Sequence, residues 1–181
     1  ETGVLDPLIT QLKTLNLSAE ADLKARSAAL LQLASDLEHD AAPLARLITM
    51  ENGCPVAQSV GLQVQSAVAL IRSLVEQASE FAFIEERVGA RGGKVRIDRL
   101  PIGIALAIVP CNVPIFLACL KLATALLAGC PVVLKPSPEN VDSMAFFSRY
   151  LARMDLPSGA VNLILGGRAL GDHFVRNDLF R

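Results

Sequence analysis

The sequence predicts an α/β fold, a helical N-terminal region followed by a doubly wound parallel sheet, and three stretches predict it. Ile102 to Val109 is an unbroken apolar run ended by Pro110, the pattern of a strand buried on both faces. Ile115 to Leu127 follows as an apolar helix. Pro114 suits its first turn, where a missing N–H costs nothing, and Gly129 closes it before Pro131 forbids continuation. Val132 to Leu134 is a second short apolar strand that ends at Lys135-Pro136. Strand, crossover helix and parallel strand make one right-handed βαβ unit. Asn112 and Lys135 fall just beyond the carboxyl ends of its strands, the edge at which open α/β sheets bind ligands.

Taken in order, Leu8 to Glu86 reads as helical. Ser18 is an N-cap candidate, and Leu23, Leu30, Ala34 and Leu37 recur at helical spacing, with Ser27 filling the missing turn. Asp36, Glu38 and Asp40 sit at a helix end that the macrodipole disfavours for acids, so a solvated turn is expected there. Pro43 can open a short helix that Gly53 closes. Pro55 opens a longer one with the stripe Val56, Val60, Val64, Ala67, Ile71, Leu74, Ala78 and Phe81. Gly61 within that stripe points to close helix packing. These helices read as support for a sheet.

Arg87 to Arg99 changes character. Lys94 to Arg99 alternates polar and apolar residues, the period of a half-exposed strand. Its basic residues carry no interleaved aromatic, so a solvated edge strand fits better than a nucleic-acid patch. After the central unit, Asn140 is an N-cap candidate with Asp142 in the first turn. Met144, Phe147, Tyr150 and Leu151 then form a helical stripe. Leu156 to Gly159 is a turn, Val161 to Leu165 a third buried strand, and Gly166-Gly167-Arg168-x-x-Gly171 begins the next helix. The alternation β-α-β-α-β-α is that of a doubly wound sheet.

Composition excludes several classes. With 17 basic and 18 acidic residues the formal charge is −1, which leaves no electrostatic footprint for nucleic acid. The chain is 52% hydrophobic with a mean hydropathy of +0.44, so it either enters a membrane or buries apolar surface against further protein. The one candidate span, Ile115 to Leu134, contains Lys121, Gly129 and Pro131 and lacks a flanking basic cluster, so no membrane partner is expected. Glu1-Thr2-Gly3 does not begin a secretory leader. Cys54, Cys111, Cys119 and Cys130 form no Cys-x-x-Cys pair, and His39 and His173 lie at no ligand spacing. Free thiols in the cytoplasm and no metal are the expectation.

Two residues carry the pointed chemistry. A carboxamide at Asn112 either donates to an oxyanion as a carbonyl becomes tetrahedral, or caps the following helix and shapes the turn. Lys135 ends a buried strand, so its ammonium either snorkels to solvent or meets a ligand's oxygens. Cys111 lies next to Asn112, but no His or carboxylate is arranged to activate its thiol. The dinucleotide fingerprint Gly-x-Gly-x-x-Gly is absent.

Pro101-x-Gly103, Ile108-x-Pro110-x-Asn112-x-Pro114, Lys121, Ala125-Leu126-x-x-Gly129, Val133-x-Lys135-Pro136-Ser137 and Leu156-Pro157-x-Gly159-x-Val161-Asn162 resemble the aldehyde dehydrogenase superfamily in order and spacing. Upstream, Arg26-x-x-x-Leu30 and Glu51-Asn52-Gly53-x-Pro55 resemble its helical region. The resemblance implies a Rossmann-like cofactor domain in three parts: helices over residues 1–86, a short oligomerisation-arm-like segment at 87–100, and the cofactor-binding part at 101–181. It implies NAD or NADP held without the fingerprint, by the Ile108-Val109-Pro110-Cys111 backbone, by Lys135 on the adenosine ribose, by Ser137 and Pro138, and by Gly167 and Gly171. It assigns Asn112 to the oxyanion hole of an enzyme that oxidises an aldehyde to an acid through a Cys thiohemiacetal and thioester.

Cys111 stands where the family usually has Trp, which alters the substrate entrance. Pro138 stands where many NAD-using members have Glu, with Glu139 following, so cofactor choice stays open. The family's catalytic Cys and general-base Glu lie beyond the matched region. The expectation is therefore a partial chain, inactive alone, from an enzyme that forms a homo-dimer or tetramer. The alternative is a non-catalytic assembly or binding module of the same fold.

Overall fold

The computed structural model describes residues 22–180, so the expected N-cap at Ser18 and the stretch 8–21 lie outside the described residues. Helix α1 (Leu23–His39) buries Arg26, Ala29, Leu30, Leu33, Ala34 and Leu37. The gap in its stripe is filled by Arg26, 1% exposed, and not by Ser27. Burial lowers the pKa of that guanidinium, while Asp22 and Cys130 oppose the shift.

Helix α2 (Ala41–Asn52) ends at Gly53, whose φ of 74° is the left-handed cap that favours glycine. Asp36 and Glu38 lie in the last turn of α1 rather than in a solvated turn, with Asp40 between the helices, and all three are paired. Asp36 pairs with Arg153 at 3.2 Å, Glu38 with Arg72 at 2.6 Å, and Asp40 accepts a 2.8 Å bond from the Tyr150 hydroxyl. Each acid finds a partner on another segment, Arg153 just beyond α5 and Arg72 and Tyr150 on helices, which offsets its unfavourable place at a carboxyl terminus.

The next helix is continuous but irregular: Val56–Gln58 leads into a π-helical segment, Ser59–Gln65, and then into α3 (Ser66–Glu80). The extra residue per turn slips the expected stripe. Val56 is exposed, whereas Ser59, Gln63 and Val64 are buried. Gly61 marks no close packing, because a β-carbon there would meet nothing within 4 Å.

The helix stops at Phe81, earlier than the expected Glu86, and Ile84 to Glu86 belongs to a strand. β1 (Ile84–Val88) pairs antiparallel with β2 (Lys94–Asp98) in a ribbon separate from the main sheet. The five-residue ladder with β2 holds this stretch as a strand, and two ion pairs accompany it: Lys94 with Glu86 at 3.2 Å, and Arg99 with Glu85. Gly92 and Gly93, at φ of 75° and 90°, make the turn.

The main sheet holds β3 (Ala105–Ile108), β4 (Val132–Lys135) and β5 (Val161–Leu163), all parallel, with β4 central. Gly103, at φ 116°, interrupts the apolar run, so β3 starts at Ala105 and Ile102 is 97% exposed. As an edge strand β3 is not buried on both faces, and Ile108 is exposed. β5 is likewise an edge, shorter than expected and only half-buried. β4 is buried along its length.

Helices α4 (Pro114–Leu127) and α5 (Val141–Leu151) follow β3 and β4. With α1, α2 and α3 they pack the main core against Ala107, Val132 and Leu134. α6 (Arg168–Arg176) follows β5 and covers the opposite face, where Phe174 and Leu170 lie on Val133. Both faces are thus covered, as a doubly wound sheet requires. Among the described residues no helix is long and apolar enough to cross a membrane.

Candidate functional site

The predicted residues meet at the carboxyl edge of the sheet. Ile108 pairs with Lys135, and the Val109 N–H donates to the Lys135 carbonyl at 3.0 Å, so the two strand ends are pinned in register. Lys121 Nζ donates to the Ile108 carbonyl at 3.0 Å on the open side of the edge strand. Beyond Pro110 the chain turns through Cys111 and Asn112, both exposed, before entering α4 at Pro114.

This turn has carbonyls but no strand to satisfy them, and side chains supply the donors. Cys111 O accepts from Asn52 Nδ2 and Asn140 Nδ2, each at 3.4 Å. Asn112 O accepts from Gln63 Nε2 at 2.9 Å and Asn52 Nδ2 at 3.3 Å. The cap position of α4 is Val113, and no side chain caps it, so Asn112 does not serve as the helix cap.

Asn140 is buried at the cap position of α5 but makes no side-chain cap bond. Glu51 performs that role from α2. Its Oε1 accepts from the Asp142 and Ser143 N–H groups at 2.7 and 3.0 Å, and its Oε2 accepts from the Ser143 hydroxyl. A carboxylate there also suits the positive end of the helix dipole. Sequence reasoning missed Glu51, Asn52 and Gln63 as parts of the site. The available signal was a turn between two prolines, whose carbonyls needed donors from elsewhere.

Lys135 is 4% exposed, and Nζ donates to Pro136 O at 3.3 Å, so it does not snorkel to solvent. An ammonium carries three donors, and that bond uses one. Its stem runs against α6: a β-carbon on Gly171 would lie 3.3 Å from Lys135 Cε and 3.6 Å from Cδ. Gly167 stands at the cap of α6 in extended backbone with open space around it. Gly166 is the tighter of the pair, because a β-carbon there would strike Leu170 Cδ2 at 2.3 Å.

Ser137 donates its hydroxyl to Glu139, whose carboxylate is thereby held below the usual range, with its own backbone N–H and Lys135 adding to the effect. Pro138, between them, is exposed. A buried cation packed against a glycine in the first turns of α6 suits a ligand bearing hydroxyls or phosphates.

Neither Cys119 nor Cys111 is an activated nucleophile. Burial pushes Cys119 up to about 12, and among the described residues no base hydrogen-bonds the exposed Cys111 thiol. Among the described residues no three His, Cys, Asp or Glu side chains gather as a metal site.

Residues 13–181 match the family model described as the aldehyde dehydrogenase family. The chain is 34% identical over 157 residues to geranial dehydrogenase of Castellaniella defragrans, covering 87% of this chain and 33% of that protein. It is 35% identical over 153 residues to an NADP/NAD-dependent aldehyde dehydrogenase of Escherichia coli, covering 82% and 31%. The crystal structure of an oxidoreductase from Marinobacter aquaeolei superposes with a TM-score of 0.87 at 25% identity, covering 97% of this chain and 37% of that one. The chain spans about a third of the length of these curated relatives.

Proposed function

The chain belongs to the aldehyde dehydrogenase family, and we propose that it is the cofactor-side part of an NAD(P)-dependent aldehyde dehydrogenase. The reaction is oxidation of an aldehyde, with water, to a carboxylic acid. The observation that carries the reading is Lys135, buried at the carboxyl edge with Gly171 kept clear along its stem. Its ammonium would hold the hydroxyls of an adenosine ribose, with the backbone of Gly167 and Gly171 beside the adenosine. Ile108, Val109, Pro110 and Cys111 would line the cleft from the other strand, and Ser137 and Pro138 would border the ribose. When bound, the nicotinamide accepts the hydride of the substrate.

Asn112 would donate its carboxamide to the oxygen of the aldehyde as it gains charge. That the carboxamide is not spent on capping α4 supports this role. The attacking thiol would come from outside the described residues, since neither Cys111 nor Cys119 is activated. The 181 residues alone therefore oxidise no aldehyde. The fit admits NAD and NADP alike, because Pro138 carries no carboxylate to repel a 2′-phosphate. The β1–β2 ribbon, with Val88 and Val95 exposed, is the surface we assign to contact in a dimer or tetramer.

Calorimetric titration of the 181-residue chain with NAD and with NADP tests this reading. Saturable binding of either, lost on Lys135→Met and without aldehyde-dependent reduction, is the expected result. A folded chain that binds neither dinucleotide would favour the assembly module of the same fold.

A further inference from the structure

We propose that Gln63 is a positioning residue for Asn112, and that the π-helical segment Ser59–Gln65 exists to bring it there. This rests on the reading of Asn112 as the oxyanion donor. An oxyanion donor works only if its place is fixed before charge develops, because a displacement near 1 Å can cost about 100-fold in rate. Asn112 lies between β3 and α4, outside any strand or helix of its own. Its backbone is held by its carbonyl, and the shorter of the two bonds, 2.9 Å, comes from Gln63.

An unbroken α-helix through Val60, Val64 and Ala67 would point the stripe at the core and leave its neighbours at the margin. The π segment adds one residue to a turn and buries Gln63 next to Val64, at 2% exposure. π segments of this kind recur at functional sites. The local cost is met locally: the Ser66 N–H bonds Gly61 O five residues back, and the Ser66 hydroxyl bonds the same oxygen at 3.0 Å. A Thr49–Ser59 hydroxyl contact at 3.0 Å ties the start of the segment to α2. On α2 sits Asn52, which supplies the other donor to Asn112 O.

The test is a double-mutant cycle in the full protein that carries these residues, with aldehyde-dependent dinucleotide reduction as the readout. Asn112→Ala is expected to lower kcat by about 10²–10³-fold. Gln63→Met, similar in volume but without the donor, is expected to lower kcat about tenfold or more, with the KM for dinucleotide and Tm unchanged. In the Asn112→Ala background the same change is expected to cost nothing further, because Gln63 acts through Asn112. Gln65→Met, exposed on the same segment, is the control and leaves kcat alone. An equal loss from Gln63→Met in both backgrounds, or no loss in either, overturns the proposal. No effect of Asn112→Ala overturns the reading of Asn112 itself, and the proposal with it.

Discussion

Gly171 leaves space that Lys135 fills. The lysine stem passes 3.3 Å from where a β-carbon on Gly171 would stand, so the two residues form one packed unit although they lie on different elements. Gly171→Ala separates stability from binding. Alanine suits a helix interior better than glycine by about 0.5–1 kcal/mol. The methyl group must shift the lysine by a few tenths of an ångström, away from its place at the sheet edge. We expect an unchanged or higher Tm together with roughly tenfold weaker dinucleotide binding, about 1.4 kcal/mol. Calorimetry alongside thermal unfolding checks both, and unweakened binding would remove Gly171 from the cofactor cleft.

Lys135→Met keeps the stem and removes the charge. A buried ammonium is costly unless partnered, so its loss is expected to leave folding stability unchanged or improved. Charged hydrogen bonds to a ligand contribute about 1.5–3 kcal/mol, so dinucleotide affinity should fall roughly 10–100-fold. A titration in which Lys135→Met binds as tightly as the parent would contradict this role.

The central βαβ unit was legible because glycine and proline punctuate it: Pro114, Gly129 and Pro131 bound α4 in the structure as in the sequence. Local pattern failed where the deciding partner is distant. Ile84 to Glu86 continues a helical composition, and the ladder with Lys94–Asp98 across the ribbon is what makes it a strand. Val60 to Ala67 repeats at helical spacing, and the π segment that turns Gln63 inward leaves no mark on that spacing. Asn112 and Lys135 could be placed at the sheet edge from their position after each strand. Glu51, Asn52 and Gln63 could not, since each acts on residues about 49 to 92 positions away.

Glu51→Ala should act on α5 without touching that helix's own sequence. The carboxylate accepts from two N–H groups and one hydroxyl at the helix start, and no local side chain replaces it. Loss of a helix cap typically costs about 0.5–2 kcal/mol. Urea unfolding should show a drop in that range, and hydrogen exchange should quicken first at Asp142 and Ser143. Even protection along α5 in the variant would mean that Asn140 takes over the cap.

Stability should fall in alkaline solution, and the sign follows from Cys119 and Tyr150. Burial raises the Cys119 thiol from an ordinary 9.0 to about 12. Tyr150 is raised above its ordinary 10.0, first by burial and then by its bond to Asp40, while Arg149 and Arg153 pull the other way. Between pH 9 and 12 the unfolded chain releases these protons and the folded chain keeps them. The folded state then binds more protons, so the slope of unfolding free energy against pH is negative. The contribution is fully present below pH 9 and is lost progressively above it. We expect the urea midpoint to decline from pH 9 to 11, and Cys119→Ala and Tyr150→Phe each to flatten that decline. A thiol reagent at pH 8 should modify exposed Cys111 and spare Cys119 in the folded chain. Prompt labelling of Cys119 there would show that the core around α4 opens, and a midpoint flat to pH 11 would show that neither group is held protonated by the fold.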